Sequence, residues 1–174
     1  VWEVEHHFLE EYSHSSAPEV FLAALSQRTT RIRHGTLVYV LPAYNPLRLI
    51  EEICMLDNLS RGRLDVGVGR GISPIEMSFF NIDVQQSRDM FREALDAMTS
   101  ALASGKLAFQ GRYFSFKNVE LQIEPYQRPY PPLWYPTNSN ESMQWLAQEG
   151  FNTVVHYQSM PAIRELFELY RSVW

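Results

Sequence analysis

Residues 32–71 are IRHGTLVYVLPAYNPLRLIEEICMLDNLSRGRLDVGVGRG. The segment Ile32–Leu41 is almost continuously apolar, and continuous rather than alternating apolarity predicts a strand that is buried on both faces, as in a parallel sheet. The pair Asn45-Pro46 supplies a helix cap followed by proline at the first helical position, so we expect a helix that runs to Leu59. A second apolar segment, Leu64–Val68, follows. This stretch is therefore predicted to form one strand–helix–strand unit.

The same alternation extends in both directions along the chain. A capping-box spacing at Ser16 and Glu19 predicts a helix that ends near Arg28. The apolar spacing within Gln85–Ser104 predicts the clearest amphipathic helix, and Phe109–Glu124 is typical of a small antiparallel excursion. The remaining strands are predicted at 1–5, 133–135 and 152–157, and the remaining helices at 138–148 and 161–174.

These segments form five strand-then-helix units, which predict an α/β fold with a parallel sheet and right-handed crossovers. Two architectures fit this order, a (β/α)₈ TIM barrel and an open doubly wound sheet. A barrel needs eight units and roughly 250 residues, so five units would form only part of one. The chain opens at Val1 without an initiator methionine and stops at Trp174 inside a helical pattern, so we expect a fragment of a longer protein.

Composition excludes several classes of function. The chain has 174 residues with 15 basic and 20 acidic side chains, and it lacks the Lys/Arg cluster that a nucleic-acid partner requires. A single cysteine, Cys54, excludes an internal disulfide and a cysteine-based zinc site. Stretches without charge are shorter than the ~18 apolar residues of a membrane span. We therefore predict neither a nucleic-acid nor a membrane partner, and a cytoplasmic location.

In both architectures the ligand lies at the carboxyl ends of the strands, which makes His6 and His7 candidates. Adjacent residues on a strand point to opposite faces, so we expect at most one of the two in a shared pocket. Such an imidazole would suit proton transfer near neutral pH. The alternative is a histidine that only fixes the loop after its strand.

Arg70 lies between two glycines that would let a ligand approach the backbone closely, and an anion such as phosphate is its natural partner. The alternative is a loop arginine paired with Glu76 or Asp83. Free N–H groups and hydroxyls at the helix start Asn138–Ser142 suit an anion, although Asn138 and Glu141 also have the spacing of a simple capping box.

Together these residues resemble the bacterial luciferase-like monooxygenase family. The pieces that carry the resemblance run in order over nearly the whole chain: Glu5-His6-His7-Phe8, 22–29, 31–36, Val40-Leu41-Pro42, Asn45-Pro46, 56–64, 67–71, Ser87-Arg88, 131–134 and 138–142.

The resemblance implies a flavin-dependent (β/α)₈ barrel of which this chain spans roughly strands two to six. It implies a monooxygenase that uses reduced FMN and O₂ to oxidise a small organic substrate, with His7 or His6 as the catalytic histidine. It assigns flavin or phosphate contacts to a further set of residues: Arg70, Arg88, Asn138, Ser139, Ser142, Leu37 and Val38. Many members carry a non-proline cis peptide at the position of Leu37-Val38.

The resemblance also implies partners and leaves alternatives open. Reduced flavin usually comes from a separate flavin reductase, and family members usually form dimers. Some relatives use the deazaflavin F420, so an F420-dependent dehydrogenase is an alternative. A non-catalytic, flavin-binding partner subunit is another.

Overall fold

The computed structural model describes residues 1–10 and 14–174. The strands are Trp2–Glu3 (β1), His34–Val40 (β2), Leu64–Gly69 (β3), Lys106–Gln110 (β4), Ser115–Glu120 (β5), Leu133–Pro136 (β6) and Asn152–Val154 (β7). The helices are Pro18–Arg28 (α1), Pro46–Ser60 (α2), Pro74–Phe79 (α3), Ser87–Ser104 (α4), Asn140–Glu149 (α5) and Met160–Val173 (α6). No helix in these residues combines the length and the apolarity that a bilayer crossing requires.

The main sheet has 5 strands in the order β1-β2-β3-β6-β7, and every neighbouring pair is parallel. Each new strand adds on the same side of the sheet as the chain advances. A doubly wound sheet reverses its strand order at a switch point, and no reversal occurs here. The predicted α/β class is confirmed, and the strand order favours the barrel over the open sheet.

The core lies where the continuous apolar strands predicted it. Every residue of β3 is buried, and in α2 the apolar face of Leu49, Ile50 and Ile53 is fully buried. Asn45 caps α2 as expected, because its side chain accepts a hydrogen bond from the Leu47 N–H at 3.0 Å. The helix therefore begins at Pro46, as predicted, and buries the predicted apolar face.

Two of the predicted helix caps are wrong. Ala17, not Ser16, precedes α1, and no side chain caps that helix. Pro18 takes the first helical position, so the residue directly before it becomes the cap and Ser16 lies one residue too early. At α5 the cap is Ser139, which accepts from the Ser142 N–H at 3.2 Å, and Asn138 lies outside the helix.

The short helix α3 was not predicted, because six residues are too few to show a periodic pattern. Ser73 caps it by accepting from the Glu76 N–H at 3.3 Å. Ser73, Pro74 and Glu76 have the capping-box spacing that was available in the sequence. This helix brings Glu76 to the carboxyl end of β1, where it becomes important below.

The predicted antiparallel excursion is the hairpin of β4 and β5, which starts earlier than expected, at Lys106. The Glu93 carboxylate on α4 fastens its turn. Its oxygens accept hydrogen bonds from the main-chain N–H groups of Arg112, Tyr113 and Phe114, with N···O distances of 2.9, 2.9 and 3.3 Å. The hairpin therefore forms a separate two-stranded sheet that packs against α4.

Candidate functional site

A cavity of about 460 Å³ opens at the carboxyl ends of the parallel strands. We call it the apolar cavity, because aliphatic and aromatic side chains make up most of its wall. Its lining includes Val4, Glu5, His6, His7, Leu37, Val38, Val40, Gly69, Arg70, Gly71, Ile72, Glu76, Met77, Phe80, Ile82, Tyr135, Val154 and His156. A pocket of this size and character is typical of a site for a small organic molecule or cofactor.

Both His6 and His7 line the apolar cavity, so the expectation that only one of them would do so is wrong. That expectation required a strand through residue 7, whereas β1 ends at Glu3. Phe8 then has a φ of 57°, which turns the chain out of any extended path. Without strand alternation the two imidazoles can share one cavity.

Each histidine has its own carboxylate. The distance between His6 Nδ1 and Glu76 Oε1 is 3.2 Å, and that between His7 Nε2 and Glu5 Oε1 is 2.8 Å. Burial raises the pKa of Glu5, while hydrogen bonds from His7, Tyr44 and the Val40 N–H oppose that rise. The ring of Phe80 packs edge-on against His7 with centroids 4.7 Å apart. Both imidazoles are therefore held by specific contacts rather than exposed to solvent.

Leu37 and Val38 form part of the cavity wall, and the peptide bond between them is cis. The resemblance implied this geometry. The strand register between β2 and β3 shifts between Thr36 and Tyr39. Across the sheet, a side chain at Gly69 would lie 2.6 Å from Val38 Cγ2, so glycine is required for β3 to approach this segment.

A second cavity, of about 240 Å³, adjoins the first. We call it the arginine cavity, since three guanidinium groups line it. Its full lining is Arg70, Arg88, Phe91, Arg92, Tyr135, Ser139, Ser142 and Trp145. Arg70 and Tyr135 belong to both cavities. Ser139 and Ser142 bring to it the first turn of α5, where free N–H groups favour an anion.

The arginine cavity carries positive charge that the described part of the protein does not neutralise. Arg88 is 3.4 Å from Glu141, with both side chains largely exposed, and a pair of this kind contributes little. Within residues 1–10 and 14–174, Arg70 and Arg92 form no ion pair. Burial raises the pKa of Tyr135, and the charges of Arg70, Arg88 and Arg92 counteract this, which fits three cations around one phenol.

The alternative partners of Arg70 are engaged elsewhere. Glu76 contacts the histidine pair, and Asp83 accepts from the Gln85 N–H and the Gln86 side chain. The loop salt bridge that competed with the anion hypothesis is therefore not formed. Among the described residues there is also no cluster of three or more His, Cys, Asp or Glu side chains that could hold a metal ion.

The sequence model of luciferase-like monooxygenases matches residues 1–174, the whole chain. The chain belongs to the luciferase-like monooxygenase family. It is 41% identical over 168 residues to the uncharacterized protein y4wF of Sinorhizobium fredii, covering 97% of this chain and 48% of that protein. It is 31% identical over 159 residues to the oxygenase component of the flavin-dependent trigonelline monooxygenase of Acinetobacter baylyi, covering 89% and 43%.

The fold agrees with this family. The crystal structure of the monooxygenase RslO1 from Streptomyces bottropensis superposes with a TM-score of 0.93 at 32% identity, covering 99% of this chain and 53% of that one. The chain spans about half the length of the relatives it matches. The expected membership of a luciferase-like TIM-barrel family is thus confirmed.

The structure brings together all but one of the residues that the family resemblance singled out. Asn138 lines neither cavity. Its side-chain amide instead donates to the His156 carbonyl at 3.0 Å and accepts the His156 N–H at 3.2 Å. Asn138 therefore joins the loop after β6 to the loop after β7 and holds the cavity wall from outside.

Two site residues were missed. Arg92 was not singled out, although it lies one helical turn after Arg88 and four-residue spacing places both on one face of α4. Glu76 was considered only as a partner for Arg70. Its real contacts depend on α3, which the sequence pattern did not reveal.

Proposed function

We propose that this chain is the flavin-binding part of a monooxygenase that uses reduced FMN and O₂ to oxidise a small organic substrate. The observation that carries the proposal is the junction of the two cavities at Arg70 and Tyr135. A flavin mononucleotide joins a flat, largely apolar ring to a phosphate group. An apolar cavity of about 460 Å³ that opens into a cationic one matches this shape and charge.

The charge of the arginine cavity supports the binding of the FMN phosphate. A phosphate monoester carries about −1.5 to −2 charges at pH 7, and Arg70 and Arg92 together offer two positive charges without an ion-pair partner in the described residues. Arg70, Arg88 and Arg92 would bind the phosphate, with the Ser139 and Ser142 hydroxyls and the α5 N-terminus as further donors.

The apolar cavity would hold the ring beside the histidine pair. Reduced FMN supplies the electrons that activate O₂. Leu37, Val38 and Phe80 would exclude water from the ring, and a dry site slows side reactions. With its Nε2 facing Glu5 Oε1 at 2.8 Å, His7 would offer its Nδ1 to hold or accept a proton.

A separate flavin reductase is the proposed partner, because one relative is named as the oxygenase component of a flavin-dependent monooxygenase. The same name supports a small organic substrate, whose identity follows from neither cavity. A dimer stays a prediction.

The proposal is tested by mixing the protein with reduced FMN and O₂ and following hydrogen peroxide release. We expect His7→Ala to bind FMN nearly as well and to release peroxide at least about 10-fold faster, since one proton-transfer group contributes a factor of this order or more. His14→Ala is the control, because His14 is exposed and lines neither cavity.

Three results would count against parts of this proposal. Unchanged peroxide release in His7→Ala would remove His7 from catalysis. Hydride transfer with F420, without O₂ consumption with FMN, would favour the dehydrogenase. Flavin binding without turnover, restored by a second subunit, would favour the non-catalytic partner.

A further inference from the structure

One carboxylate, that of Glu76 on α3, holds two consecutive residues of the loop after β1. Its Oε1 accepts the His7 main-chain N–H at 2.6 Å. Its Oε1 and Oε2 lie 3.2 and 3.3 Å from His6 Nδ1. The side chain of Glu76 is 14% exposed, so these contacts form in a partly dry environment where they are stronger than in water.

The chemistry of a carboxylate decides which nitrogen of His6 carries the hydrogen. An ionised carboxylate only accepts hydrogen bonds. Neutral His6 must therefore carry its hydrogen on Nδ1, facing Glu76, and its lone pair on Nε2.

His7 has the opposite arrangement. Its Nε2 lies 2.8 Å from Glu5 Oε1, and the Val40 N–H and the Tyr44 hydroxyl also donate to Glu5. The two donors that do not depend on His7, from Val40 and Tyr44, favour the ionised form of this carboxyl group. His7 therefore carries its hydrogen on Nε2, and its Nδ1 has no hydrogen-bond partner in the described residues.

The helix that carries Glu76 contacts His7 a second time. Phe80, directly after α3, packs edge-on against the imidazole with ring centroids 4.7 Å apart. The main chain of His7 is thus fixed by Glu76 and its ring by Phe80. Phe8 adopts a left-handed φ of 57°, and the His6 N–H donates to the Ser15 carbonyl at 2.9 Å, so Glu76 adds to a second main-chain contact of this loop.

The geometry points to Glu76 as a positioning residue for the histidine pair: it sets the tautomer of His6 and holds the main chain of His7, while Glu5 sets the tautomer of His7 and leaves its Nδ1 as a basic nitrogen in the apolar cavity. The inference rests on the proposed function only for the reaction that this nitrogen serves. The two opposite tautomers follow from the contacts of Glu5 and Glu76 alone.

The test is a tautomer measurement on flavin-free protein labelled with ¹³C and ¹⁵N in histidine. It is made at about pH 8.5, where a histidine of ordinary pKa is neutral. We expect His6 in the Nδ1–H form and His7 in the Nε2–H form. In Glu76→Gln the amide oxygen can still accept the His7 N–H, but one of the two groups near His6 Nδ1 becomes an NH₂ donor, so the Nε2–H form of His6 should gain population.

Two further variants separate positioning from a general effect on folding. Glu76→Asp keeps an acceptor-only carboxylate and should retain the Nδ1–H form of His6. Glu168→Gln, at an exposed glutamate of α6, should change neither histidine. With reduced FMN and O₂, Glu76→Gln should raise peroxide release by about 10- to 100-fold, the effect typical of groups that orient a functional histidine, and Glu76→Asp should restore most of the coupling.

An Nε2–H form of His6 in the unsubstituted protein would overturn the inference, and this measurement needs no variant to fold. A folded Glu76→Gln protein with unchanged tautomer populations of His6 would also overturn it. Because the tautomers are read without flavin, a failure of the flavin proposal would leave them unchanged and would be recognised separately.

Discussion

The Glu5 carboxylate receives the Nε2–H group of His7 at 2.8 Å while only 5% of Glu5 is exposed. Burial of a carboxylate disfavours its charged form, and here that effect raises the pKa of Glu5 despite the hydrogen bonds that oppose it. His7 thus has a fixed hydrogen-bond partner, and the carboxylate charge of Glu5 lies in a buried environment.

This burial predicts a pH dependence of stability. A carboxyl group whose pKa is raised in the folded state binds its proton more tightly there, so its contribution to stability is largest below the ordinary value of 4.5 and is lost as the pH rises through the folded value. We expect the free energy of unfolding of the unsubstituted protein, minus that of Glu5→Gln, to fall as the pH rises from 4.5 through the raised, folded value.

Urea denaturation of both proteins across this range measures that difference. The same substitution at exposed Glu168 should give a difference that stays flat with pH. If the difference in free energy of unfolding between the unsubstituted protein and Glu5→Gln increased with pH, that result would contradict the burial of an ionised Glu5.

Arg92 provides a prediction about ligand charge. If it is the third guanidinium at the phosphate, Arg92→Gln should weaken FMN binding by about 1.5 kcal/mol, the low end for a hydrogen bond to a charged group. Riboflavin, which lacks the phosphate, should bind equally well to both proteins. Fluorescence titration with the two flavins measures this, and Arg164→Gln on the exposed side of α6 is the matched control. Equal losses for FMN and riboflavin would remove Arg92 from the phosphate site.

Glu93 provides a prediction about the hairpin. Partial burial tends to raise the pKa of Glu93, but the N–H donors of Tyr113, Arg112 and Phe114 together outweigh it and lower the pKa. The stability that ionised Glu93 contributes is therefore present above the ordinary value of 4.5 and is lost as the pH falls through the lower, folded value.

We expect Glu93→Gln to lower the free energy of unfolding by about 1 kcal/mol at neutral pH, and the difference should shrink in acid. Amide hydrogen exchange at Tyr113 and Phe114 gives a local measure, because both N–H groups lose their carboxylate acceptor. Unchanged protection of these amides would contradict the role of Glu93 in fastening the turn.

The sequence predicted strands and helix starts correctly wherever a single strong local pattern was present. The strands β2 and β3 lie within or over the predicted apolar segments Ile32–Leu41 and Leu64–Val68, although β2 begins two residues later, at His34. Asn45 caps α2 as predicted. Prediction failed where two local rules competed. At Ser16 the spacing indicated a capping box, but Pro18 fixed the helix start one residue later.

The site could be predicted only in part, because its decisive contacts join distant parts of the chain. Arg70 and the helix start that includes Ser139 were candidates from the residues themselves, and Arg88 received its flavin contact from the family resemblance. The fold brings all three to one cavity. The approach of Glu76 to His6 and His7 spans 70 and 69 residues. It depends on a short helix and on the early end of β1, neither of which a periodic pattern reveals.

The proposal that the two cavities together bind FMN is tested most directly by isothermal titration calorimetry of the protein with FMN and with riboflavin. If a phosphate lies in the arginine cavity, FMN should bind more tightly than riboflavin by about 1.5–3 kcal/mol, and Arg70→Ala should remove most of that gap. Equal affinities for FMN and riboflavin in the unsubstituted protein would contradict the proposed flavin site.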